Sequence, residues 1–483
     1  RQLLTQAKGN SGWLSFSQGA FKNFRYDCFG ETRAKIAFGR VKDFVVIATS
    51  ERIFQDLCIS SGGLASSSAY QASSARAAGS DVEGFLNVAS LRAAIGAYQP
   101  EIHDHRLVRA LGLLGFSNVC YGMNWMETGF QERLFLYCPT GGEGIFRWFE
   151  GKGNAFDAKD LWLVPEDALA AKCVQVNMGN RWKQFTDLMQ TTDPRGWEPN
   201  AAVNAACVLL DVGDSQQFLF DLIQTKNLTK SRRDYQSLLK QVERALGTPV
   251  DRFLECFDGQ VVSCNRGIRL TFGSTESGTA AAVTYILGLK DEGTCQRGLE
   301  GLAGWLAGRK GYQVDREDLG SRVVHTIRVE GDKDGKGEMS LSFAVVKGKL
   351  VIASDARDLK LMLARVDAGS AASAMKDSLE YREAAGAVKA RGNWMGFCSM
   401  SRLKDNLLPA IQLGLSFAGS EGMKFSQELP EILGDMKGGW MGTIVPEDKG
   451  LAIESICPLP VLGGYGAYLS ARLPWDAAAE TQK

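Results

Sequence analysis

The feature that most constrains the fold of this chain is a segment that occurs twice. The first copy runs from Ala37 to Ser50, and the second runs from Ser342 to Asp355 (342 − 37 = 305 residues later). In both copies two apolar runs flank a short polar pair that begins with lysine. Recurrence of a segment is typical of one structural unit used twice. The sequence therefore predicts two copies of one fold.

Each copy of the repeat predicts a β-hairpin with a two-residue turn, followed by an N-cap residue and a helix. The predicted strands are Lys35–Arg40 and Phe44–Thr49 in the first copy, and Met339–Val346 and Lys349–Ala353 in the second. The predicted helices are Glu51–Leu57 after Ser50, and Ala356–Val366 after Asp355. A serine-rich stretch, Ser60–Ser80, then predicts a loop.

The repeat continues in both copies with a strand, a helix and a second hairpin. The strand and helix are Gly84–Ala89 and Ser90–Tyr98 in the first copy, and Trp394–Met400 and Ser401–Leu413 in the second. The second hairpins are Asn118–Met126 with Glu132–Cys138, and Gly439–Val445 with Leu451–Cys457. Because the correspondence extends over many elements, it indicates a duplication rather than a chance match.

The segment between the copies predicts its own strands and helices. The predicted helices are Asn180–Met189, Asp234–Leu246, Pro249–Phe257 and Gly293–Gly308, with a turn at Asp258-Gly259. The predicted strands are Ala168–Met178, Ala281–Leu289, Gly311–Val314 and Ser321–Glu330. Glycines in the last helix cost about 1 kcal/mol each relative to alanine. Their spacing at Gly298, Gly301 and Gly304 therefore predicts close backbone packing.

These elements predict an α+β fold made of duplicated units of antiparallel curved sheet packed against helices in a pseudo-twofold arrangement. Residues 161–474 form the complete second unit, residues 1–150 form the back part of the first, and 475–483 form a C-terminal tail. On this alignment we expect about 150 further residues before Arg1, matching the front of the complete unit. A cleft between the units is the expected place for a ligand or partner.

Composition excludes several classes of function. The 483 residues carry 55 basic and 55 acidic side chains, so the formal charge is zero and the footprint of a nucleic-acid-binding protein is missing. The apolar stretch Ile456–Leu469 is short and interrupted by proline and glycine, so no transmembrane segment is predicted. Eleven cysteines leave at least one unpaired in a monomer, and none has the spacing of a zinc site.

Four motifs resemble those of a family of exported bacterial proteins that is classed as a domain of unknown function. They are Val164–Ala168, Cys173–Met189, Ala245–Leu254 and the hairpin Gly348–Asp355. The resemblance covers Leu161–Leu473, and it covers Arg1–Glu150 through the repeat. It implies a periplasmic or extracellular location and a duplicated α+β fold. It implies no activity, because the family has none assigned.

The strongest catalytic pattern is Ser401-Arg402-Leu403-Lys404, which fits the Ser-x-x-Lys motif of penicillin-binding proteins. Lys437-Gly438-Gly439 could replace the later Lys-Thr-Gly, but no Ser-Asp-Asn lies between them. The first copy has Ser90-Leu91-Arg92-Ala93 at the corresponding place. We therefore favour a helix-capping role for Ser401.

The other polar motifs favour structural interpretations. His103 and His105 could share a face and hold a metal, but they follow Pro100 in a predicted loop. His325 lies alone in a strand pattern, and the acidic run Asp332–Glu338 lacks the spacing of a calcium loop. Asn227 begins a glycosylation sequon that we attribute to chance. No catalytic, cofactor-binding or metal-binding residue is predicted.

Two cysteines and four tryptophans are predicted to have packing roles. Cys120 and Cys138 are predicted to lie opposite each other across a hairpin, where a disulfide would be strained, so free buried thiols are favoured over a disulfide. Four tryptophans in strand patterns are predicted to belong mostly to the core, with a groove lining as the alternative; they are Trp125, Trp148, Trp394 and Trp440.

The prediction for function is a non-enzymatic protein of the cell envelope that binds other proteins, forms a homo-oligomer or acts as a structural subunit. Two alternatives remain open. One is a hydrolase that uses Ser401 and Lys404 or a site between the units, and the other is a carrier of a hydrophobic ligand. Head-to-tail assembly into a filament would require apolar patches at opposite ends of the chain.

Overall fold

The fold combines helices with antiparallel sheet, and most of its strands belong to one large open sheet. It is known from a computed structural model. The structure describes residues 15–31, 34–41, 44–48, 51–59, 66–90, 113–127, 129–140, 158–183, 186, 232–272, 277–320, 322–329, 339–354, 356–388, 392–416, 427 and 437–458. The chain divides into two compact units, one of residues 1–74 with 464–483 and the other of residues 75–463.

The first unit contains a four-stranded antiparallel sheet in the order β1-β2-β3-β4. Its strands are β1 (Ser15–Phe21), β2 (Phe24–Glu31), β3 (Ala34–Val41) and β4 (Phe44–Ala48). Two helices follow, α1 (Glu51–Ile59) and α2 (Ser68–Ser74). Tyr26, Cys28 and Ala37 of the sheet pack against Phe54 of α1, which is fully buried. This small core holds the helix on the sheet.

The second unit contains a thirteen-stranded sheet, all of whose strand pairs are antiparallel. The strand order is β11-β12-β13-β14-β10-β9-β8-β15-β16-β17-β7-β6-β5. The strands are β5 (Val82–Leu86), β6 (Asn118–Met126), β7 (Gly129–Tyr137), β8 (Ala170–Gln175), β9 (Phe257–Phe272), β10 (Ser277–Leu289), β11 (Tyr312–Leu319), β12 (Arg322–Val329), β13 (Met339–Val346), β14 (Lys349–Ala353), β15 (Trp394–Ser399), β16 (Gly439–Glu447) and β17 (Gly450–Cys457).

Six α-helices of the second unit accompany this sheet in the described residues. They are α3 (Arg232–Leu246), α4 (Val250–Leu254), α5 (Glu292–Ala307), α6 (Ala356–Ala368), α7 (Leu379–Ala387) and α8 (Met400–Ser416). Short 3-10 turns occupy Leu113–Gly115, Ala158–Leu163, Gly369–Ala371 and Met375–Asp377. No described helix has both the length and the apolar character needed to cross a membrane.

Two hydrophobic clusters lie against the large sheet. One is centred on Leu161, Leu163, Leu359 of α6 and Phe397 of β15, and includes residues of β8, β9 and β13. The other joins α3, α4 and α5 to the neighbouring strands through residues such as Phe253 and Leu287. Burial of side chains of this size contributes about 1.5–3 kcal/mol each. The apolar faces of the helices therefore hold them against the sheet.

The predicted hairpins are present in the described residues. β13 and β14 are joined by Lys347 and Gly348, which have φ values of 45° and 73°. Two successive positive φ values are characteristic of the type I′ turn, whose twist matches that of the flanking strands. Gly348 suits this turn because it has no Cβ to clash in the left-handed region.

The glycine-rich face of α5 packs closely at two of its three positions. A Cβ on Gly301 would lie 1.9 Å from the carbonyl oxygen of Ala245 at the end of α3, and one on Gly298 would lie 2.5 Å from the ring of Phe253. Gly304 has open space around it. Close backbone packing is therefore confirmed at Gly301, whereas Gly298 makes room for a side chain and the prediction is wrong at Gly304.

Several element predictions are wrong or incomplete. The sequence did not predict β1, β2 or the sixteen-residue β9. Asp258-Gly259 is part of β9 rather than a turn, because Gly259 adopts φ 92° and accepts a hydrogen bond from the Val176 amide within the sheet. The serine-rich loop contains α2, in which the Ser73 hydroxyl donates to the carbonyl of Ala69. Small polar residues therefore form a helical turn here.

Candidate functional site

Ser401 lies in the first turn of α8, but its neighbour Ser399 caps the helix. The Ser399 hydroxyl accepts a hydrogen bond from the Arg402 amide at 3.3 Å, as an N-cap does. The Ser401 hydroxyl donates to the Glu380 carboxylate at 2.6 Å and contacts the Ser399 hydroxyl at 3.2 Å. The predicted capping role of Ser401 is therefore wrong. Its proton is directed at a carboxylate of α7, an arrangement that ties α7 to the start of α8.

The segment 162–168 contains the first family-like motif and is held by arginines from two helices. Arg365 of α6 donates to the carbonyls of Trp162 at 2.8 Å and Val164 at 3.2 Å. Arg402 of α8 donates to the carbonyl of Ala168 at 2.9 Å and to that of Glu166. Guanidinium groups present several donors in a fixed geometry, so each can satisfy two carbonyls at once. The motif therefore has a structural role in joining α6 and α8.

A third arginine, Arg266, binds a side chain of the same segment rather than its backbone carbonyls. Arg266 of β9 contacts the exposed Asp167 carboxylate at 2.6 Å and the buried Asp358 carboxylate at 3.8 Å. The hydrogen bond that Arg266 donates to Asp167 raises the pKa of Arg266. Burial beside this cluster raises the pKa of Cys264 to about 12, so its thiol stays protonated at neutral pH. A protonated buried thiol is a weak nucleophile, which favours packing as its role.

A buried polar network crosses the junction between β7 and β17. Arg133 lies directly opposite Glu454 in the strand register, and its Nε is 3.3 Å from the Glu454 carboxylate. Gln131 donates to the same carboxylate at 2.9 Å and to the carbonyl of Ala387. Only 6% of Glu454 is exposed. A charge this buried is tolerated only when paired, so the network specifies how β7 and β17 meet.

A second buried carboxylate, Glu132, lies on β7. Glu132 is fully buried and accepts a hydrogen bond from the Tyr121 hydroxyl of β6 at 2.6 Å. Burial, followed by the bond to Glu132, raises the pKa of Tyr121 well above its ordinary value. The Tyr121 hydroxyl therefore remains a donor at every physiological pH.

No disulfide involves a cysteine of the described residues. Cys120 and Cys138 are both buried thiols, as favoured from the sequence. Their expected opposition is wrong, because the hairpin closes at Met126 and Gly129 and Cys120 therefore lies opposite Phe135. Cys295 lies beside Cys256, and the hydrogen bond between the two thiols, followed by burial, raises the pKa of Cys295.

His325 is packed in the sheet, in agreement with its interpretation as a packed or exposed side chain. Its ring stacks on Phe343 with centroids 5.2 Å apart, and burial lowers its pKa. Within the described residues, no group of three or more His, Cys, Asp or Glu side chains is arranged to hold a metal. The remaining polar candidates lie outside the described residues; they are His103, His105, Asn227 and the run 332–338.

The described tryptophans differ in environment. Trp394 and Trp440 form an edge-to-face pair with centroids 6.4 Å apart and are half-buried, which fits the predicted core role. Trp125 is 61% exposed, so the core prediction is wrong for this residue. It lies near the end of β6, where its amide donates to Asp81 and its ring contacts Phe130. Trp148 lies outside the described residues.

Exposed apolar side chains concentrate at the β5 end of the large sheet. Of the seven exposed large hydrophobic residues in the described part of the chain, four lie on β5 and β6, namely Val82, Leu86, Trp125 and Met126. We call these four residues the β5–β6 patch. Because Val82 pairs with Met123 and side chains alternate along a strand, Val82, Leu86 and Trp125 share one face of the sheet, and Met126 lies on the other face at the end of β6. Exposed apolar surface at one end of a sheet is typical of an interaction site. Val82 and Leu86 were not among the residues predicted to be functional, and the apolar residues of the segment Val82–Leu86 were the available signal.

The two ends of the large sheet differ in character. β5 is the last strand at one end, and four of its five residues are uncharged. β11 is the last strand at the other end and carries consecutive charges from Asp315 to Asp318. Charged edge strands oppose pairing with other chains, whereas apolar edges favour it. Of the two ends of the large sheet, as the described residues define it, the β5 end therefore has the chemistry of a docking edge.

A concavity of about 460 Å³ lies on α6, lined by Ala356, Arg357, Lys360 and Leu361. Lys360 is already paired with Glu317 at 2.8 Å, and Leu361 is 48% exposed. Four residues from a single helix turn form this lining, so it lacks the convergent groups from several elements that are typical of a ligand site.

No family model, no curated protein and no solved structure matches this chain. The resemblance to exported bacterial proteins therefore remains a prediction.

Proposed function

We propose that this chain is a non-enzymatic subunit of an extracytoplasmic assembly that binds a protein partner at the β5–β6 patch. The observation that carries the proposal is the concentration of Val82, Leu86, Trp125 and Met126 at one end of the sheet. Tryptophan and methionine are enriched at protein interfaces, and exposed edge strands accept additional strands. The extracytoplasmic location rests on the family resemblance.

We further propose that the chain arose by duplication, with β1–β4 and α1 corresponding to β11–β14 and α6. The strands have 7, 8, 8 and 5 residues in the first set and 8, 8, 8 and 5 in the second. The first and last hairpins of each set close with a two-residue turn. Phe54 and Leu359, each the fourth residue of its helix, are both fully buried. These agreements support a common origin.

The strands β5–β7 correspond in the same way to β15–β17. Gly84 and Phe85 of β5 have the same register on β6 as Gly396 and Phe397 have on β16. Asn87 follows β5 and accepts from the Ser90 amide, as Ser399 accepts from the Arg402 amide. Both second hairpins also open their last strand with a glycine, Gly129 and Gly450.

The strands β5–β7 and the strands β15–β17 meet in a pseudo-twofold arrangement at the β7–β17 junction. Arg133 and Glu454 are each the fourth residue after the opening glycine, so they are counterparts, and they face each other. Two identical strands paired in this way would bring like charges together. The opposite charges instead favour pairing of one copy with the other, which supports the proposal that the copies have diverged to fit each other.

Photo-cross-linking in the source cells tests the partner. With benzoylphenylalanine at Val82, ultraviolet light is expected to yield a discrete covalent adduct, because the partner covers this position. The matched control places the same group at Leu379 of α7, which is 63% exposed and lies outside the β5–β6 patch. Mass spectrometry of the adduct then identifies the partner. Equal adducts at both positions, or none at Val82, would contradict the proposal.

A further inference from the structure

We infer that the outer edge of β5 binds an antiparallel strand with the chemistry of β8, supplied by another polypeptide segment. The inference rests on the proposed function and deepens it by naming the class of partner and its register. In the proposed duplication, β5 corresponds to β15.

β15 has a neighbour on both edges. One edge pairs with β16, and the other pairs antiparallel with β8. In the β8 pair Trp394 faces Val174, Gly396 faces Lys172 and Cys398 faces Ala170. β5 pairs with β6 in the register that β15 uses on β16, but it is the last strand at its end of the sheet. The edge of β5 that corresponds to the β8-binding edge of β15 therefore has no partner among the strands of the described residues.

The correspondence predicts the register of the missing strand. Because Gly84 corresponds to Gly396, a β8-like strand would place a Lys172-like residue opposite Gly84. A Val174-like residue would face Val82, and an Ala170-like residue would face Leu86. Both β5 residues are exposed, at 39% and 44%, so this pairing would cover apolar surface.

The chemistry of β8 defines the partner. Its sequence is Ala-Ala-Lys-Cys-Val-Gln, with small and apolar side chains and a single charge. Small residues allow the strand to lie between two neighbours, as β8 lies between β15 and β9. Main-chain hydrogen bonds would supply the affinity, and the alternating side chains would supply the specificity. The partner is therefore a short, nearly uncharged strand rather than a charged peptide.

A second copy of this chain is a different occupant. Antiparallel pairing of β5 with β5 centred on Gly84 would place Glu83 opposite Phe85 on each side. The same register would also pair Val82 with Leu86 on both sides, so a dimer would cover these apolar residues as well. The β8-like strand is favoured by the correspondence of β5 with β15, which pairs with β8 on the matching edge. A dimer through β5 is an outcome that the test must separate.

The probe is a fluorescein-labelled peptide with the sequence of Leu169–Val176, with Cys173→Ser to prevent oxidation. Titration with the purified chain is expected to raise the fluorescence anisotropy to saturation at one peptide per chain. A scrambled peptide of the same composition should not bind. The double variant Val82→Lys and Leu86→Lys is expected to weaken binding at least tenfold, because edge lysines oppose strand pairing. Leu379→Lys is the matched control and should bind as the unmodified chain does.

Three results would overturn the inference: no saturable binding of the peptide, equal binding of the scrambled peptide, or light scattering that shows a dimer abolished by the same lysines. A cross-linked partner at Val82 together with any of these results would refute the β8-like strand while leaving the proposed function in place. If the peptide bound but no partner were cross-linked at Val82, the result would support pairing of a β8-like strand with β5 and would refute the proposed function as a subunit that binds a protein partner in cells.

Discussion

Arg133→Glu is expected to lower the free energy of unfolding by about 3–5 kcal/mol, the usual cost of breaking a buried ion pair from one side. The substitution would place two carboxylates directly opposite each other on β7 and β17. Glu454 is 6% exposed and the Arg133 side chain is 34% exposed, so water screens the repulsion only in part. Gln131 would still donate a hydrogen bond to Glu454. Urea unfolding followed by tryptophan fluorescence measures the change.

Charge reversal on both strands is the matched rescue. Adding Glu454→Arg to Arg133→Glu is expected to restore most of the lost stability, because the pair is re-formed in the opposite sense. Coupling energies of contacting pairs reach about 3 kcal/mol. Arg316→Glu on β11 is the control. Because Arg316 and its partner Asp318 are both exposed to solvent, this substitution should lower the free energy of unfolding by at most about 1 kcal/mol. Failure of the double variant to recover would contradict the proposed complementarity of the two copies.

Gly301→Ala should lower the free energy of unfolding by about 2 kcal/mol, within the range for overpacked sites. The new Cβ would lie 1.9 Å from the carbonyl oxygen of Ala245, so α5 would have to move away from α3. This clash outweighs the gain of about 1 kcal/mol that alanine brings to a helix interior. Thermal unfolding followed by circular dichroism measures the net effect.

Gly304→Ala separates packing from helix propensity. This glycine lies on the same helix, but a Cβ there would meet no atom within 4 Å. The substitution is therefore expected to raise the free energy of unfolding by about 0.5–1 kcal/mol. If both alanine variants shifted stability in the same direction, close packing of α3 and α5 would not be the reason for Gly301.

Local patterns were sufficient to predict the hairpins and several helices. The bounds of β13 and β14 follow from the alternation of apolar residues around Lys347-Gly348, a turn whose geometry depends on two residues. β9 was missed because pairing on both sides stabilises its glycines and polar residues. One partner, β10, follows β9 in the chain, but the other, β8, is distant in sequence. Gly259 illustrates this, since the Val176 amide satisfies its carbonyl.

The candidate site was less predictable. Ser401 carries a motif, but its hydrogen bond to Glu380 depends on how α7 packs beside α8. Trp125 has a strand pattern that is typical of the core, yet it lies near the end of β6 beyond the span of β5. Exposure at the end of a sheet depends on which strand is the last one, and strand order is not a local property of the sequence.

Hydrogen exchange of the β5 amides tests most directly the claim that β5 offers an open edge for strand addition. In an edge strand about half of the amides point away from the neighbouring strand. For the purified chain we predict that about half of the amides of Val82–Leu86 exchange rapidly, whereas those of Trp394–Ser399 in β15 are protected. Protection of all the β5 amides in the purified chain would show that the edge is already covered and would contradict the account.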